Sequence, residues 1–542
     1  MKKNKKILKS VSASAVSALM ILSLGFSASA AVIDEEETAS APPVTLAQSK
    51  SGEPVGAESL PSYYSSLDLG YVTEVKRQLY NDCWVYGALA TYESLLLRNG
   101  ISTESMSPDH ANIWGSTRED NKGWIRKYYD AGRAKIMPGY FTSWQGGVEM
   151  SKVAGLDLIS TAPEMLATDL AGYGVTSIKY LYKENPDSIK QAIMESGGVS
   201  GYYSNVTSCL SKDQKSYYVP PTYSGGYAGH AIEVVGWDDN YSKENFNTLP
   251  QNDGAWLIKN SWGTSYNDKG YFWISYEDRD IFNDSKYKPT YQIKSFEPID
   301  SSKKLLQNEI YGATYEFSYI NDTELTAFES FDFDSNFRTL DKVIFETYCQ
   351  GANYTVYYVP EKDGAPNPDS SKWTELYSST VEFPGYICAD FEDFEVPDAS
   401  GSVAVKIDAS PINTNATLGV GEWLSTNNSE FVFVNDSKPG DSYISFNGKI
   451  MDALDWYKTY NNDDIGGTFV IKAITKKSAP KQGDVNLDGV VDVNDAYLLQ
   501  KHIALLIELD DEALSVADMN GDGFITISDV TIIQRIAAGI EV

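Results

Sequence analysis

The sequence predicts a multidomain chain: a mixed α+β region, an all-β sandwich behind it, and a small helical module at the C-terminus. Three observations carry this. Helical and strand periodicities interleave over residues 59–292, short alternating runs rich in Tyr, Phe, Val and Thr fill 300–475, and an acidic pattern recurs at an offset of 34 residues beyond 483. A length of 542 residues leaves room for three or four domains.

The N-terminus sets the compartment. Residues 1–9 carry five lysines and no acid, Val11 to Phe26 is apolar and small, and Ala28-Ser29-Ala30 is a small-x-small cleavage pattern. Residues 1–30 thus read as a secretory signal peptide, and the chain is expected to be secreted, extracellular or held on a cell-surface scaffold. No other run is long and apolar enough to span a bilayer. A formal net charge of −31 argues against nucleic acid or an anionic membrane as partner, since both call for a cationic face. At 42% hydrophobic the chain can build cores, and four cysteines are too few for a disulfide scaffold. Residues 31–58 are acidic and rich in Pro, Ala and Ser, and read as a flexible leader.

The α+β region carries a nucleophile pattern. Asn81-Asp82-Cys83-Trp84 opens a helix in which Trp84, Ala88, Leu89, Tyr92, Leu95 and Leu96 recur at helical spacing. Asn81 or Asp82 is placed to cap it, which puts Cys83 in the first turn, where the helix dipole favours a thiolate. His230 lies in a strand-like run, Gly229-His230-Ala231-Ile232-Glu233-Val234-Val235, and supplies an imidazole base. Asn260, in Lys259-Asn260-Ser261-Trp262-Gly263, offers a carbonyl oxygen to orient that ring. His110, after Ser107-Pro108-Asp109, is a rival base, though that run reads better as a helix cap.

On these residues the segment resembles a papain-family cysteine peptidase. Asp82-Cys83-Trp84-Val85-Tyr86 is similar to the family's nucleophile helix, Gly229-His230-Ala231 to its histidine segment, and Asn260-Ser261-Trp262-Gly263 to its asparagine segment. Trp144-Gln145-Gly146-Gly147 is similar to the glycine pair of the substrate cleft. The resemblance implies two lobes with a cleft between them, and a protein or peptide substrate. It implies Cys83 as nucleophile, His230 as base and then acid, Asn260 as its orienter, and Gln78 as an oxyanion donor beside the Cys83 amide. It further implies that Trp262 shields the His230–Asn260 bond and that Gly146 and Gly147 receive substrate backbone. Catalysis needs no cofactor in this scheme. Two features depart from the pattern: Gln78 and Cys83 are five positions apart, one fewer than usual, and the cysteine that normally precedes the nucleophile is missing.

Residues 300–475 have the runs Tyr354 to Val359 and Ser402 to Ile407, punctuated by Gly, Asn, Asp and Pro, as a β-sandwich does. In pattern and position they resemble the lectin-like domain that follows the peptidase in many secreted papain-family proteins. Exposed aromatics there suit a glycan, and a spacer or stabilising role stands equally beside that reading. Cys349 and Cys388 read equally as a disulfide or as two thiols.

After a polar linker at 476–482, residues 483–542 hold a duplicated oxygen-rich loop. Asp484, Asn486, Asp488, Asp492 and Asp495 occupy loop positions one, three, five, nine and twelve, with Gly489 at the sharp turn. Asp518, Asn520, Asp522, Thr526 and Asp529 repeat them, with Gly523 at the turn. Hard oxygens at this spacing suit two Ca²⁺ ions, with the carbonyls of Val490 and Phe524 as the position-seven ligands. Each loop is followed by one helix and the first has no entering helix, so the module resembles a type I dockerin. That resemblance implies a cohesin of a cellulosome-like scaffoldin as partner, contacted through Val493, Asn494, Gln500 and Lys501 or, by near-symmetry, Ile527, Ser528, Gln534 and Arg535. The combined reading is a scaffold-borne cysteine endopeptidase; the alternative is a catalytically degenerate binding or adhesin subunit of the same scaffold.

Overall fold

The computed structural model describes residues 60–540 except 102–103, 117–122, 125, 129, 155–169, 183–184, 284–289, 320, 422–432, 435–437, 461–466 and 479. The signal-peptide and leader segments, and Ala479 of the linker, lie outside the described residues.

The helix opened by Cys83 runs as expected. It spans Cys83–Arg98 (α1), and Trp84, Ala88, Leu89, Tyr92, Leu95 and Leu96 are all buried. Its cap differs from expectation. Asp82 holds the N-cap position but its side chain bonds no helix amide; its carboxylate accepts from Asn112 Nδ2 at 3.1 Å instead. Two short helices, Pro108–Trp114 (α2) and Ile136–Thr142 (α3), join α1 in this lobe. Ser107 caps α2 by accepting from the His110 amide at 3.2 Å, as its sequence suggested.

Strands form the second lobe. The Ala228–Asp238 strand lies between Val199–Asn205 and Ala255–Lys259, and Tyr271–Ser275 pairs beyond the latter, all antiparallel. Helix α1 crosses the Ala228–Asp238 strand closely at Gly87, where a Cβ would come within 3.1 Å of the Ile232 backbone. A larger residue there would push apart the two elements that carry Cys83 and His230.

The all-β region is a sandwich. One face is a seven-stranded antiparallel sheet centred on Glu324–Asp332, Asn353–Lys362 and Ser400–Asp408. The other face is built from Thr339–Thr347, Gly385–Glu395 and Ile471–Lys476. Between them lie Leu325, Val343, Phe345, Val356, Val405 and Ile471. That second face does not stop at the domain edge. Gly385–Glu395 pairs with Tyr173–Leu181 of the α+β region, so one twelve-stranded sheet runs through both. The helical lobe's apolar cluster likewise continues from Trp84, Tyr92 and Phe141 into Tyr311, Ile344, Tyr386 and Ile474.

The C-terminal module has its own small core of Val485, Ala496, Leu499, Val530 and Ile533. Its main helices, Val493–Ile503 and Ile527–Ala537, each begin with a capping box, Asp492 with Asp495 and Thr526 with Asp529. All four cysteines, Cys349 and Cys388 included, are thiols. Among the described residues no helix is long and apolar enough to cross a membrane.

Candidate active site

Cys83 begins α1 at the foot of a cleft of about 680 Å³, which is also lined by Gln78, Tyr202, His230 and Trp262. The Ala231 amide approaches its Sγ at 3.5 Å. Burial pushes the thiol above its ordinary range, so the helix terminus and the Ala231 amide offset that cost only in part.

His230 is buried on the Ala228–Asp238 strand, and its Nε2 lies 2.9 Å from Asn260 Oδ1. An amide oxygen only accepts, so Nε2 carries the proton and Nδ1 is the basic nitrogen. Burial lowers the ring's pKa to about 4, and the Asn260 bond works the other way. Asn260 follows the Ala255–Lys259 strand and is held on both sides of its amide. Its Nδ2 donates to Asn267 Oδ1 at 2.9 Å, and its Oδ1 also accepts the Ser261 amide at 2.8 Å. Trp262 stacks on the imidazole, with centroids 4.4 Å apart and planes at 27°. Cys83, His230, Asn260 and Trp262 are therefore brought together.

Gln78 reaches the cleft wall, but its amide is turned away from the nucleophile. Its Nε2 donates to Tyr80 O at 2.8 Å and its Oε1 accepts from Ser261 Oγ at 2.6 Å. Gly146 and Gly147 are placed differently from expectation. Both are buried behind the cleft, and a Cβ on Gly146 would meet the Tyr140 ring at 1.9 Å. Their smallness serves packing in the helical lobe. The cleft wall is formed by Ala131, Gly132, Arg133 and Ala134, where a Cβ on Gly132 would strike Trp84 at 2.2 Å. Tyr202 and Asn205 also line the cleft. None of these carried a motif; only the small residues of Ala131-Gly132 hinted at a close approach. His110 is buried away from the cleft with Nδ1 2.7 Å from Tyr140 Oη.

The C-terminal loops fold back on themselves as cation loops do. Asp484 accepts the Asp488 and Gly489 amides at 3.0 and 2.8 Å, and Asp518 accepts the Asp522 and Gly523 amides at 3.3 and 2.8 Å. The position-twelve carboxylates, Asp495 and Asp529, are fully buried and each accepts backbone amides at both ends of its loop. Gly489 and Gly523 stand at φ +84 and +81, which the sharp turn requires. Among the described residues no three His, Cys, Asp or Glu side chains already converge as a metal cluster. Each loop's donor set mixes carboxylate, amide and carbonyl oxygens, which fits a hard cation. Of the residues that the dockerin resemblance assigns to a cohesin, Val493, Asn494, Ile527, Ser528, Gln534 and Arg535 are exposed, while Gln500 and Lys501 are half-buried.

Three family models match successive parts of the chain. The chain matches the papain family cysteine protease family over residues 162–290, the lectin like domain over 305–475 and the dockerin type I domain over 482–536. The structure is similar to that of the clostridial cysteine protease Cwp84 after propeptide cleavage, at 33% identity and TM-score 0.67, covering 77% of this chain and 100% of that one. It is equally similar to the cysteine protease and lectin-like domains of Cwp84 from Clostridium difficile, at 32% identity and TM-score 0.67, covering 77% of this chain and 89% of that one. Curated relatives include Peptidase 1 of Psoroptes ovis, 24% identical over 40% of this chain and 61% of its own length, and procathepsin L of Felis catus, 26% identical over 41% and 62%. The chain thus spans about three fifths of those relatives. With the peptidase, lectin-like and dockerin regions in that order, the chain belongs to the papain-family cysteine proteases.

Proposed function

We propose that the protein is a secreted cysteine endopeptidase that cleaves peptide bonds with Cys83, His230 and Asn260 and is carried on a cohesin-bearing scaffold by its dockerin. The observation that carries the catalytic part is the His230 Nε2–Asn260 Oδ1 bond beneath Trp262, in the same cleft as Cys83.

The chemistry follows from the proton positions. With Nε2–H committed to Asn260, Nδ1 takes the Cys83 proton, and the two charges created together offset each other's burial cost. Sγ attacks the scissile carbonyl, and the oxyanion is met by the Cys83 amide and by Gln78 once its side chain turns from Tyr80. His230 then returns the proton to the leaving amine, and water, deprotonated by His230, releases the acyl group and restores the thiol. Labelling by the epoxide E-64 tests this directly. Covalent attachment to Cys83, with casein hydrolysis lost in Cys83→Ala, is the expected result. A chain that neither labels nor cleaves is the degenerate binding subunit.

In the dockerin, Ca²⁺ would supply the charge that draws together the carboxylates of Asp484 and Asp488 in one loop and of Asp518 and Asp522 in the other. Asn486, Asp492, Asp495, Asn520, Thr526 and Asp529 and the carbonyls of Val490 and Phe524 complete the two sets. The exposed Val493 and Ile527, at the starts of the two helices, support a cohesin-binding face there. The Lys-rich, apolar and Ala-Ser-Ala succession of residues 1–30 supports secretion. Glycan recognition falls to the lectin-like region.

A further inference from the structure

The lectin-like and peptidase regions share a sheet, but the strands that join them touch only briefly. Gly385–Glu395 pairs with Tyr173–Leu181 through Gly385 with Lys179 and Tyr386 with Ile178. Beyond these pairs the two strands part, and a cavity of about 460 Å³ opens in the wedge, lined from both regions. That size suits a small ligand, for which pockets run to roughly 300–1,000 Å³.

Two irregularities of the sheet border the cavity. The pairing of Tyr173–Leu181 with Thr290–Pro298 shifts register around Ser177, and the Thr339–Thr347 strand shifts between Leu340 and Lys342. Such bulges re-aim side chains. The first gathers three hydroxyls: Thr176 Oγ1 and Ser177 Oγ lie 2.6 and 2.8 Å from Ser295 Oγ. The second puts Lys342 on the wall, held by Asp341 and Asp390 at 3.2 and 3.1 Å. Glu297, also on the wall, uses Oε2 to bind Lys303 at 2.7 Å, while its buried Oε1 has no hydrogen-bond partner among the described residues. Phe296, Tyr377 and Phe383 add partly exposed aromatic faces.

This lining selects among ligands. Lys342 is neutralised by its acids, and Lys294 by Glu195 at 2.9 Å, so neither is a spare cation for a phosphate. Among the described residues the carboxylates form no metal cluster. Hydroxyls that both donate and accept, a carboxylate oxygen in need of a donor, and aromatic faces suit a molecule with many hydroxyls and apolar C–H faces. We propose that this interdomain wedge binds a short neutral saccharide. The proposal rests on the glycan reading of the lectin-like region, and it moves the site to the junction, where Thr176, Ser177 and the Lys294–Glu297 stretch of the Thr290–Pro298 strand form one wall.

The test uses the full chain in a Cys83→Ala background, titrated with cellotriose, xylotriose, mannotriose and tri-N-acetylchitotriose by calorimetry and saturation-transfer NMR. Tyr377→Ala removes an aromatic face, and Ser379→Trp, on an exposed part of the rim, fills the entrance. We expect one of these saccharides to bind and each variant to weaken it roughly tenfold or more, the scale of losing a packed contact or hydrogen bond. Each variant should still unfold in one cooperative transition, and casein hydrolysis should stay unchanged when the same substitutions are made with Cys83 present. Binding that ignores both variants would overturn the wedge while leaving glycan recognition in place. No binding by any of the four overturns both, and leaves the peptidase reading untouched.

Discussion

The indole of Trp262 covers the imidazole of His230 at 4.4 Å, on the ring whose Nε2 is bonded to Asn260. A hydrogen bond kept from water is stronger and better oriented than one in solvent. Trp262→Ala should therefore lower kcat by roughly tenfold, the cost of about one such bond, with KM little changed. Trp262→Phe should recover most of the loss. Active-site titration with E-64 separates lost turnover from lost fold.

The pH profile follows from burial of the same ring. His230 titrates at about 4 where an ordinary imidazole titrates near 6.5. A base whose pKa is lowered stays neutral between those values and becomes protonated only as pH falls through the lower one. Peptide hydrolysis should thus persist below pH 6 and fall away near pH 4. The kcat/KM profile on a short peptide reads this limb, and a midpoint at 6–6.5 would mean the ring is solvated in the free enzyme.

Gln78 presents its amide to Tyr80 rather than to Cys83. Its neighbour Ser261 holds the other end of the side chain at 2.6 Å, so substrate must break or share these bonds to draw the amide in. If it does, Gln78→Ala should cost roughly 10²-fold in turnover, the usual effect of removing one oxyanion donor. A change under about threefold would identify the Cys83 amide and another group as the oxyanion site.

Calcium removal should act on one end of the molecule. The dockerin core is small, so a cation drawn into the two loops, as proposed, would supply much of its folding free energy. EDTA, or Asp488→Ala with Asp522→Ala, should unfold residues 483–542 and abolish cohesin pull-down, while casein hydrolysis continues. Cohesin binding that survives both treatments would show that the repeat does not act through calcium.

The peptidase region should not stand alone. Tyr180 Oη donates to Glu346 Oε1 at 2.5 Å across the boundary, and Tyr386 Oη accepts the Ala313 amide at 3.0 Å within the shared cluster. Residues 59–292 expressed without 300–475 would bare the faces that Ile344, Tyr386 and Ile474 cover, together with the edge of the Tyr173–Leu181 strand. Such a fragment should aggregate or melt at a markedly lower temperature than the full chain, as calorimetry would show.

What the sequence determined by itself is what short-range pattern encodes. The α1 face from Trp84 to Leu96, the strands around Tyr354 and Ser402, and the two dockerin loops are each set by neighbours a few positions apart, so periodicity and turn chemistry expose them. Cys83, His230 and Asn260 were legible because each stands in a local run whose chemistry is specific. Tertiary structure alone decided the rest. Gly146 and Gly147 went to the core, and Gly132 and Tyr202 to the cleft, because a small residue fits either a buried crossing or a substrate channel and only the neighbouring chain distinguishes them. The joining of the two sheets through Tyr386 and Ile178 was equally invisible. Strand pairing between segments some two hundred residues apart is made by backbone groups common to every residue, so the register belongs to the assembled fold and leaves no period in the sequence.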